Sequence, residues 1–188
     1  MRVAFTGSHG TGKSTAAKHL GDRHGYTVID NVSREAAKKG VRLGAKATFL
    51  DELALTSTLV QSHYCRDVDI VLARTLIDKL AYTQCNPNIS EVERNELVRV
   101  FDRAALYESG TYDLLIYFPI AWPLEEDGVR PDEGMRVDVD RHIRDFLSHI
   151  HPTKLHVLRR FQTDHWQRSI EDALTYRALQ LTKERAQF

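Results

Sequence analysis

Eight residues near the start of the chain have the types and spacing of a phosphate-binding loop. The pattern G-x-x-x-x-G-K-S/T is matched at every position by Gly7-Ser8-His9-Gly10-Thr11-Gly12-Lys13-Ser14. Glycines let the backbone wrap around an anion, and successive amide groups then point at it. In this pattern the lysine reaches the β- and γ-phosphates and the last hydroxyl binds Mg²⁺. The residues therefore predict binding of ATP with Mg²⁺, with Lys13 catalytic and Ser14 as the metal ligand.

The segments that flank this loop have the patterns of a strand and a helix. Residues 3–6 form a short apolar run that is typical of a buried parallel strand. Residues 15–24 place Ala16, Ala17 and Leu20 along one helical face. A strand, a glycine loop and a helix in this order separate a true phosphate loop from an ordinary glycine turn. We therefore expect the chain to contact phosphate from Gly7 through Thr15.

The rest of the chain alternates short apolar runs with helical patterns. Further strands are predicted at residues 26–29, 69–72, 112–118 and 154–158. Helices are predicted at 33–39, 48–66, 75–84, 90–108, 137–150 and 163–185, with the break at Ser109-Gly110 and loops at 41–47 and 119–135. Capping boxes are expected at Thr48–Asp51 and Ser90–Glu93. This order predicts one α/β domain over residues 1–188, a five-stranded parallel sheet with helices on both faces.

Composition sets limits on the class of protein. Because 26 basic residues balance 26 acidic ones, the formal net charge is zero, which argues against a general polyanion binder. Two cysteines, Cys65 and Cys85, are too few for a disulfide framework, and the nine histidines show no metal-ligand spacing. No apolar run approaches the ~20 residues of a membrane span, and no signal peptide precedes the first strand. We expect a cytoplasmic protein that does not bind membranes.

Ligands of parallel sheets bind at the carboxyl ends of the strands, so the residues after each strand are candidates for the site. Asp30, Arg34 and Glu35 follow the second strand. A carboxylate here, with Asp30 as the catalytic candidate, would accept a proton from a substrate hydroxyl, and Arg34 would bind a phosphate or carboxylate. The alternative is that Asp30 caps a helix and that Arg34 forms a surface ion pair.

The residues after the third strand carry a resemblance to small P-loop kinases. The stretch Ala73-Arg74-Thr75-Leu76-Ile77-Asp78-Lys79-Leu80-Ala81-Tyr82 resembles a kinase motif that begins with an Asp-Arg pair and contains a second Asp and a Tyr. The resemblance implies that Arg74 binds phosphate and acts in catalysis, and that Asp78 contacts substrate. Ala73 stands where the first Asp of the motif is expected. Either another carboxylate serves, with Asp30 the best candidate, or Ala73 marks an inactive protein.

The regions after the fourth and fifth strands extend this resemblance, which runs to about residue 170. The stretch Asp127-Gly128-Val129-Arg130 is similar to the lid region of the family that includes ribosylnicotinamide kinase domains and phage-encoded nucleoside/nucleotide-kinase-like ATPases. It implies a mobile lid at about 119–136 with Arg130 and Arg136 as phosphate-binding arginines and Asp127 near substrate. The alternative is a solvated loop. Arg159 or Arg160 would stack on adenine, or else Phe161 and Trp166 pack the last helix onto the core.

Together the motifs predict an ATP- and Mg²⁺-dependent phosphotransferase that acts on a nucleoside, a (deoxy)nucleotide or a related small acceptor. The patterns define neither the acceptor nor an oligomeric state. One alternative is a kinase of a hydroxymethylated base in phage DNA, for which the basic cluster Lys38, Lys39, Arg42 and Lys46 is the only support. The others are a nucleotide-binding protein inactivated at Ala73, and a switch or motor ATPase.

Overall fold

The structure is a computed structural model that describes residues 1–30, 32–63, 69–121, 123, 133–158 and 165–186. Its centre is one sheet of five strands: β1 (Arg2–Thr6), β2 (Thr27–Ile29), β3 (Ile70–Leu72), β4 (Leu114–Tyr117) and β5 (Leu155–Val157). The strand order is β2-β3-β1-β4-β5, and every neighbouring pair is parallel. The predicted five-stranded parallel sheet is therefore confirmed, and β1, which leads into the glycine loop, is the central strand.

Helices occupy most of the remaining described chain. They are α1 (Lys13–His24), α2 (Val32–Lys38), α3 (Phe49–His63), α4 (Leu76–Gln84), α5 (Glu91–Thr111), α6 (Glu133–Leu147) and α7 (His165–Arg185), with a 3₁₀ turn at Gly44–Lys46. Among the described residues, no helix combines the length and apolar character that crossing a membrane requires.

The sheet is covered on both faces because alternate strand residues point to opposite sides. Val3 and Phe5 of β1 join a cluster that includes Ala16 and Ala17 of α1 and Ile170 of α7. Ala4, which lies between them on β1, joins the other cluster. That second cluster takes its helical members from α2 to α6 and includes Leu59, Ile77, Leu97 and Ile143. The two apolar layers fix the central strand between α1 and α7 on one side and α3 to α6 on the other.

Each predicted capping box contributes a hydrogen bond at a helix start, and the reciprocal pair of bonds is complete at Ser90–Glu93. The Asp51 carboxylate accepts a hydrogen bond from the Thr48 amide at 2.8 Å, at the start of α3. At α5 the Ser90 hydroxyl accepts from the Glu93 amide, and the Glu93 carboxylate accepts from the Ser90 amide. These short-range bonds satisfy amides that have no partner inside the helix.

Several helix boundaries differ from the sequence-based prediction, and two of them have a local explanation. Helix α5 continues through Ser109 and Gly110 to Thr111, because the Ser109 hydroxyl donates to Leu106 within the helix and Gly110 does not adopt a positive φ. Helix α6 begins at Glu133 rather than at residue 137, and an acidic side chain in its first turn suits the positive end of the helix. The last four residues of the segment predicted as a lid, 133–136, are thus helical.

Helix α4 begins against a buried pair of side chains. The Glu108 carboxylate of α5 accepts a hydrogen bond from the Leu76 amide at 2.9 Å, and its other oxygen bonds to His63 Nδ1 at the end of α3. An acidic group at a helix start binds the free amide groups there. This arrangement positions the first turn of α4, which lies beside the glycine loop.

Candidate active site

The glycine loop joins the central strand β1 to α1 and contains three glycines with positive φ. Gly7, Gly10 and Gly12 have φ values of 148°, 69° and 88°, a region that other residues rarely adopt. At Gly7 an added Cβ atom would lie 2.4 Å from the Phe118 carbonyl oxygen, just beyond β4. Gly7 is therefore required both by its own backbone and by the neighbouring strand.

Helix α4 holds the first residues of the loop through Asp78. The Oδ1 atom of Asp78 accepts hydrogen bonds from the Thr6 hydroxyl and from the Gly7 amide, both at 2.8 Å. Its Oδ2 accepts from the Thr75 amide at 3.1 Å, which completes a capping box at the start of α4. Both oxygens are thus engaged within the protein, and the side chain is buried. The structure gives Asp78 a positioning role, and its predicted contact with substrate stays a prediction.

One turn further along α4, Tyr82 holds the middle of the loop. Its hydroxyl accepts a hydrogen bond from the His9 amide at 2.9 Å and lies 2.7 Å from His9 Nδ1. Burial raises the pKa of Tyr82 to about 12, so the phenol stays protonated at neutral pH. Both the backbone and the ring of His9 are therefore engaged by Tyr82.

Helix α6 contributes Arg136, whose side chain is fully buried. Its Nε donates to the His9 carbonyl oxygen at 3.1 Å, and its Nη1 pairs with Glu133 at 3.0 Å. One of the two arginines predicted in the lid therefore lies against the phosphate loop, on a helix packed into the core. The loop is clamped from two sides, by α4 and by α6.

Lys13 opens α1 and folds back over the loop. Its Nζ donates to the Ser8 carbonyl at 2.6 Å, to the Gly7 carbonyl and to the Thr11 hydroxyl. Burial lowers the pKa of Lys13 to about 7, while Asp78 and Asp140 oppose this shift. The ammonium group of Lys13 therefore loses its proton near neutral pH. A bound anion would raise its pKa and keep it protonated.

Asp140 is a site residue that the sequence analysis missed. It lies one turn after Arg136 on α6 and accepts a hydrogen bond from the Tyr117 hydroxyl, at the end of β4, at 2.7 Å. Arg144 donates to its other oxygen at 3.1 Å. The only local signal was a polar row at positions 136, 140 and 144 on an otherwise apolar helix face. Such a row usually indicates a solvated face, but here Asp140 is buried and its charge reaches Lys13.

Two residues follow β3. The charge of Arg74 influences the site, whereas Ala73 is enclosed in the apolar core. Burial is the main cause of the lowered pKa of Lys13 and of the raised pKa of Tyr82, and the Arg74 guanidinium adds to the first shift and partly offsets the second. Ala73 is fully buried and belongs to the apolar cluster that contains Val71 and Phe5. The position at which the kinase motif has an aspartate is therefore enclosed by apolar side chains in this chain.

The candidates after β2 lie further from the loop. Strand β2 is separated from β1 by β3, which places Asp30 two strands, or about 10 Å, from the phosphate loop. Asp30 is half-buried, whereas Arg34 and Glu35 are exposed on α2. Glu35 pairs with Lys38 at 2.7 Å, and this hydrogen bond lowers the pKa of Glu35. The geometry places these residues away from the phosphate loop.

Several predicted site residues fall outside the described part of the chain. They are Asp127 and Arg130 of the predicted lid, and Arg159, Arg160 and Phe161 after β5. Trp166, in the first turn of α7, packs against the apolar cluster beneath α1 and lies edge-on to His19, with 5.5 Å between the ring centroids. Its packing role is confirmed.

The residues of the loop fit Mg²⁺ and a triphosphate. Ser14 and Thr15 are exposed in the first turn of α1, and oxygen donors with retained waters are what Mg²⁺ requires. The Ser8 hydroxyl is buried and makes no hydrogen bond within the described chain. A buried hydroxyl without a partner is costly, so a polar ligand in the loop would satisfy it.

A central parallel strand, a glycine loop and a helix that begins at the loop lysine define a P-loop nucleotide-binding fold. The chain belongs to the AAA_28 family, whose description is AAA domain, and the match covers residues 2–168. No curated protein sequence matches the chain.

Solved structures of similar fold include nucleoside kinases. The NadR protein, in a complex with NR, matches with a TM-score of 0.73 and 18% identity over 92% of this chain and 50% of the NadR chain. Deoxyadenosine kinase from M. mycoides, with bound dCTP, matches with a TM-score of 0.70 and 16% identity over 94% of this chain and 100% of the kinase. This chain therefore spans half of NadR and the whole of the smaller kinase. The predicted nucleoside/nucleotide-kinase-like α/β fold is confirmed.

Proposed function

We propose that the protein is an ATP- and Mg²⁺-dependent phosphotransferase whose acceptor is a nucleoside, a nucleotide or a related small hydroxyl compound. The observation that carries this proposal is the set of charges around Lys13. The positive charges of Arg74 and Arg136 lower the pKa of this buried ammonium group. The carboxylates of Asp78 and Asp140 raise it. A loop that only binds nucleotide needs its lysine and amides, whereas transfer also needs cations that neutralise the moving phosphoryl group.

The residues of the chain divide the work of phosphoryl transfer. The loop amides and Lys13 hold the β- and γ-phosphates, and Ser14 holds Mg²⁺, which would neutralise charge on the phosphate oxygens. Arg74 supplies a cation from the end of β3, and Arg130 is proposed to supply another from the lid. Arg136 keeps the loop in its binding conformation through the His9 carbonyl. Catalysis in this scheme is positioning and charge neutralisation.

The acceptor is proposed to bind between the ends of β3 and β2, with Asp30, Arg34 and Glu35 as its contacts. Nucleosides and nucleotides are favoured because the similar folds belong to NadR in complex with NR and to a deoxyadenosine kinase. Asp127 and Arg160 stay proposed contacts of the acceptor and of adenine. A cytoplasmic location remains part of the same proposal.

Asp140 is proposed to take the place of the missing acid at Ala73. The Asp140 carboxylate is buried beside the end of β4 and acts on Lys13. Its two hydrogen bonds, from Tyr117 and Arg144, fix its orientation. An oriented carboxylate whose charge acts on the loop lysine suits the role of ordering Mg²⁺-bound water or taking the acceptor proton.

The modified-DNA alternative is less well supported than a small acceptor. Two members of the basic cluster are paired with acids, Lys38 with Glu35 and Arg42 with Asp51. Each pairing reduces the positive charge available to phosphates, on which DNA affinity depends.

The proposal is tested by incubating the protein with ATP, Mg²⁺ and separate nucleosides, monophosphates and hydroxymethylated oligonucleotides, and measuring product mass. We expect one small-acceptor class to gain the mass of a phosphoryl group. Asp140→Asn should lower kcat by roughly 100-fold, in the range of general acid–base catalysis. Asp145→Asn, at an exposed position on the same helix, should keep wild-type activity. Transfer to no acceptor by the wild-type protein would reject the proposal.

A further inference from the structure

A cluster of metal-binding side chain types lies where the last turns of α1 meet the first turns of α7. His19 and His24 belong to α1, and Glu171 belongs to α7. The histidine nitrogens and a carboxylate oxygen all lie within 4.8 Å of one another, in the only such group among the described residues. The spacing of these residues along the chain does not reveal the cluster, because the histidines are five positions apart and the carboxylate comes from a distant helix.

Two of the three distances in this cluster match the edges of a tetrahedral metal site. Nε2 of His19 and Nε2 of His24 each lie 3.5 Å from the same Glu171 oxygen, Oε1. Zinc bonds of about 2.0–2.2 Å at a tetrahedral angle place two ligand atoms about 3.4 Å apart. An ordinary hydrogen bond would bring nitrogen and oxygen to about 2.7–3.2 Å. The separations are therefore those of two ligand atoms that face a common ion.

The burial and packing of His19 point the same way. Its Nε2 is buried and has no hydrogen bond partner in the described chain, which is unfavourable for a polar atom unless a ligand binds it. The ring is held edge-on to Trp166 at 5.5 Å and to His24 at 6.3 Å between centroids. The donor is thus held in one orientation, as a metal ligand must be.

We propose that His19, His24 and Glu171 bind one divalent transition-metal ion, with zinc as the metal of best fit. Two imidazoles and one carboxylate are a common zinc set that leaves one position open. The proposal is independent of the proposed phosphotransferase activity, since none of these residues belongs to the phosphate loop. The ion would link the helix that begins at Lys13 to the last described helix of the chain.

A cavity beside the cluster favours an anion. This open cavity of about 440 Å³ is lined by His19, Arg23, Gln167, Arg168 and Glu171. A divalent ion and Glu171 together would carry one positive charge, and the two arginines add two more. An anion such as chloride or hydroxide would therefore suit the fourth position better than a further neutral donor.

The experiment uses the full chain after removal of metals with a chelator. At free Zn²⁺ about 100-fold above its Kd, binding to the folded state alone should raise Tm by roughly 5 to 10 °C. His24→Gln and Glu171→Gln each lack one coordinating side chain. Each should therefore lose most of the Zn²⁺-dependent rise in Tm, even if it changes the Tm of the metal-free protein. His149→Gln, at an exposed histidine outside the cluster, should keep the whole shift.

Coordination is then measured with Co²⁺ as the probe. We expect intense visible bands of tetrahedral Co²⁺ at one ion per chain, displaced by Zn²⁺ and absent in His24→Gln. An unchanged Tm with Zn²⁺, or an equal shift in His24→Gln, would overturn the proposal. Weak bands of aqueous octahedral Co²⁺ that the protein leaves unchanged would likewise overturn the proposal and leave the three residues as a plain ion-pair cluster.

Discussion

Arg136 donates from its buried Nε to the His9 carbonyl oxygen at 3.1 Å and so ties α6 to the middle of the phosphate loop. With Asp78 and Tyr82 on α4, this bond holds the loop in one conformation. Preorganised donors do not have to be reoriented during the reaction, which is why they are effective in phosphoryl transfer. The side chains that hold the loop are therefore expected to contribute to ligand binding along with the loop itself.

Replacing Arg136 tests this frame. We expect Arg136→Lys to weaken binding of an ATP analogue by roughly 10-fold or more, because lysine keeps the charge but loses the planar fork that reaches both His9 and Glu133. Binding is measured by titration calorimetry on protein shown to be folded by circular dichroism. Arg141→Lys, at an exposed residue of α6 that pairs with Asp138, should bind normally. Wild-type affinity in Arg136→Lys would show that the clamp is dispensable.

Asp78→Asn tests the link from α4 to Gly7. The amide keeps the size of the carboxylate, but one of its two ends becomes a donor that faces the Thr75 amide or the Gly7 amide. We expect the free energy of unfolding in urea to fall by about 1–3 kcal/mol, the cost of a buried unsatisfied group. Asp22→Asn, at an exposed site in the last turns of α1, should change it by less than about 0.5 kcal/mol. An unchanged stability in Asp78→Asn would contradict the assigned positioning role.

The lowered pKa of Lys13 predicts a pH dependence of stability. In the folded protein this pKa is about 7, against an ordinary value of 10.5, so the unfolded chain binds more protons between these pH values. The contribution of Lys13 is therefore unfavourable at pH 7 and below, and it disappears as the pH rises to about 10.5. Lys13→Met should gain stability over wild type near pH 7, and the gain should shrink towards pH 10.

Urea unfolding at a series of pH values measures the difference in free energy of unfolding between Lys13→Met and the wild-type protein. Lys18→Met, at an exposed lysine of α1, provides the control, and its difference from wild type should not vary with pH. If the Lys13→Met difference is also constant, the ammonium group is not desolvated in the way the structure indicates.

Ala73→Asp separates an inactivated protein from one that uses another acid. Because Ala73 is enclosed in the apolar cluster of α1 and α7, a carboxylate there is expected to lower the free energy of unfolding by about 3 kcal/mol or more. We expect no gain in phosphoryl transfer. Ala37→Asp, at an exposed alanine of α2, should be tolerated. A stable Ala73→Asp protein with higher activity than wild type would show that Ala73 marks a lost catalytic acid.

Short-range patterns predicted the fold because the deciding interactions are local. The glycine loop, the alternating strands and the Thr48 and Ser90 capping boxes all depend on residues within a few positions of one another. The predicted helix end at Ser109-Gly110 was wrong, because packing outweighs the local preference of glycine. A glycine weakens a helix by only about 1 kcal/mol, and here packing of Ser109 and the preceding turns outweighs that cost.

Long-range contacts account for what the sequence did not reveal. Asp78 matched a kinase motif, but its bonds to Thr6 and Gly7 join residues more than 70 positions apart. Asp140 has no motif, and only its approach to Tyr117 and Lys13 identifies it. The cluster of His19, His24 and Glu171 likewise exists only once α1 and α7 pack together.

The most direct test of the central claim is phosphoryl transfer from labelled ATP to the acceptor identified by the mass screen. We predict that Lys13→Ala lowers kcat/KM by roughly 1000-fold, because it removes the cation that contacts the transferring group. Lys18→Ala, on the exposed side of the same helix, should match the wild-type protein. Transfer by Lys13→Ala at the wild-type rate would contradict the assignment of this loop as the catalytic phosphate site.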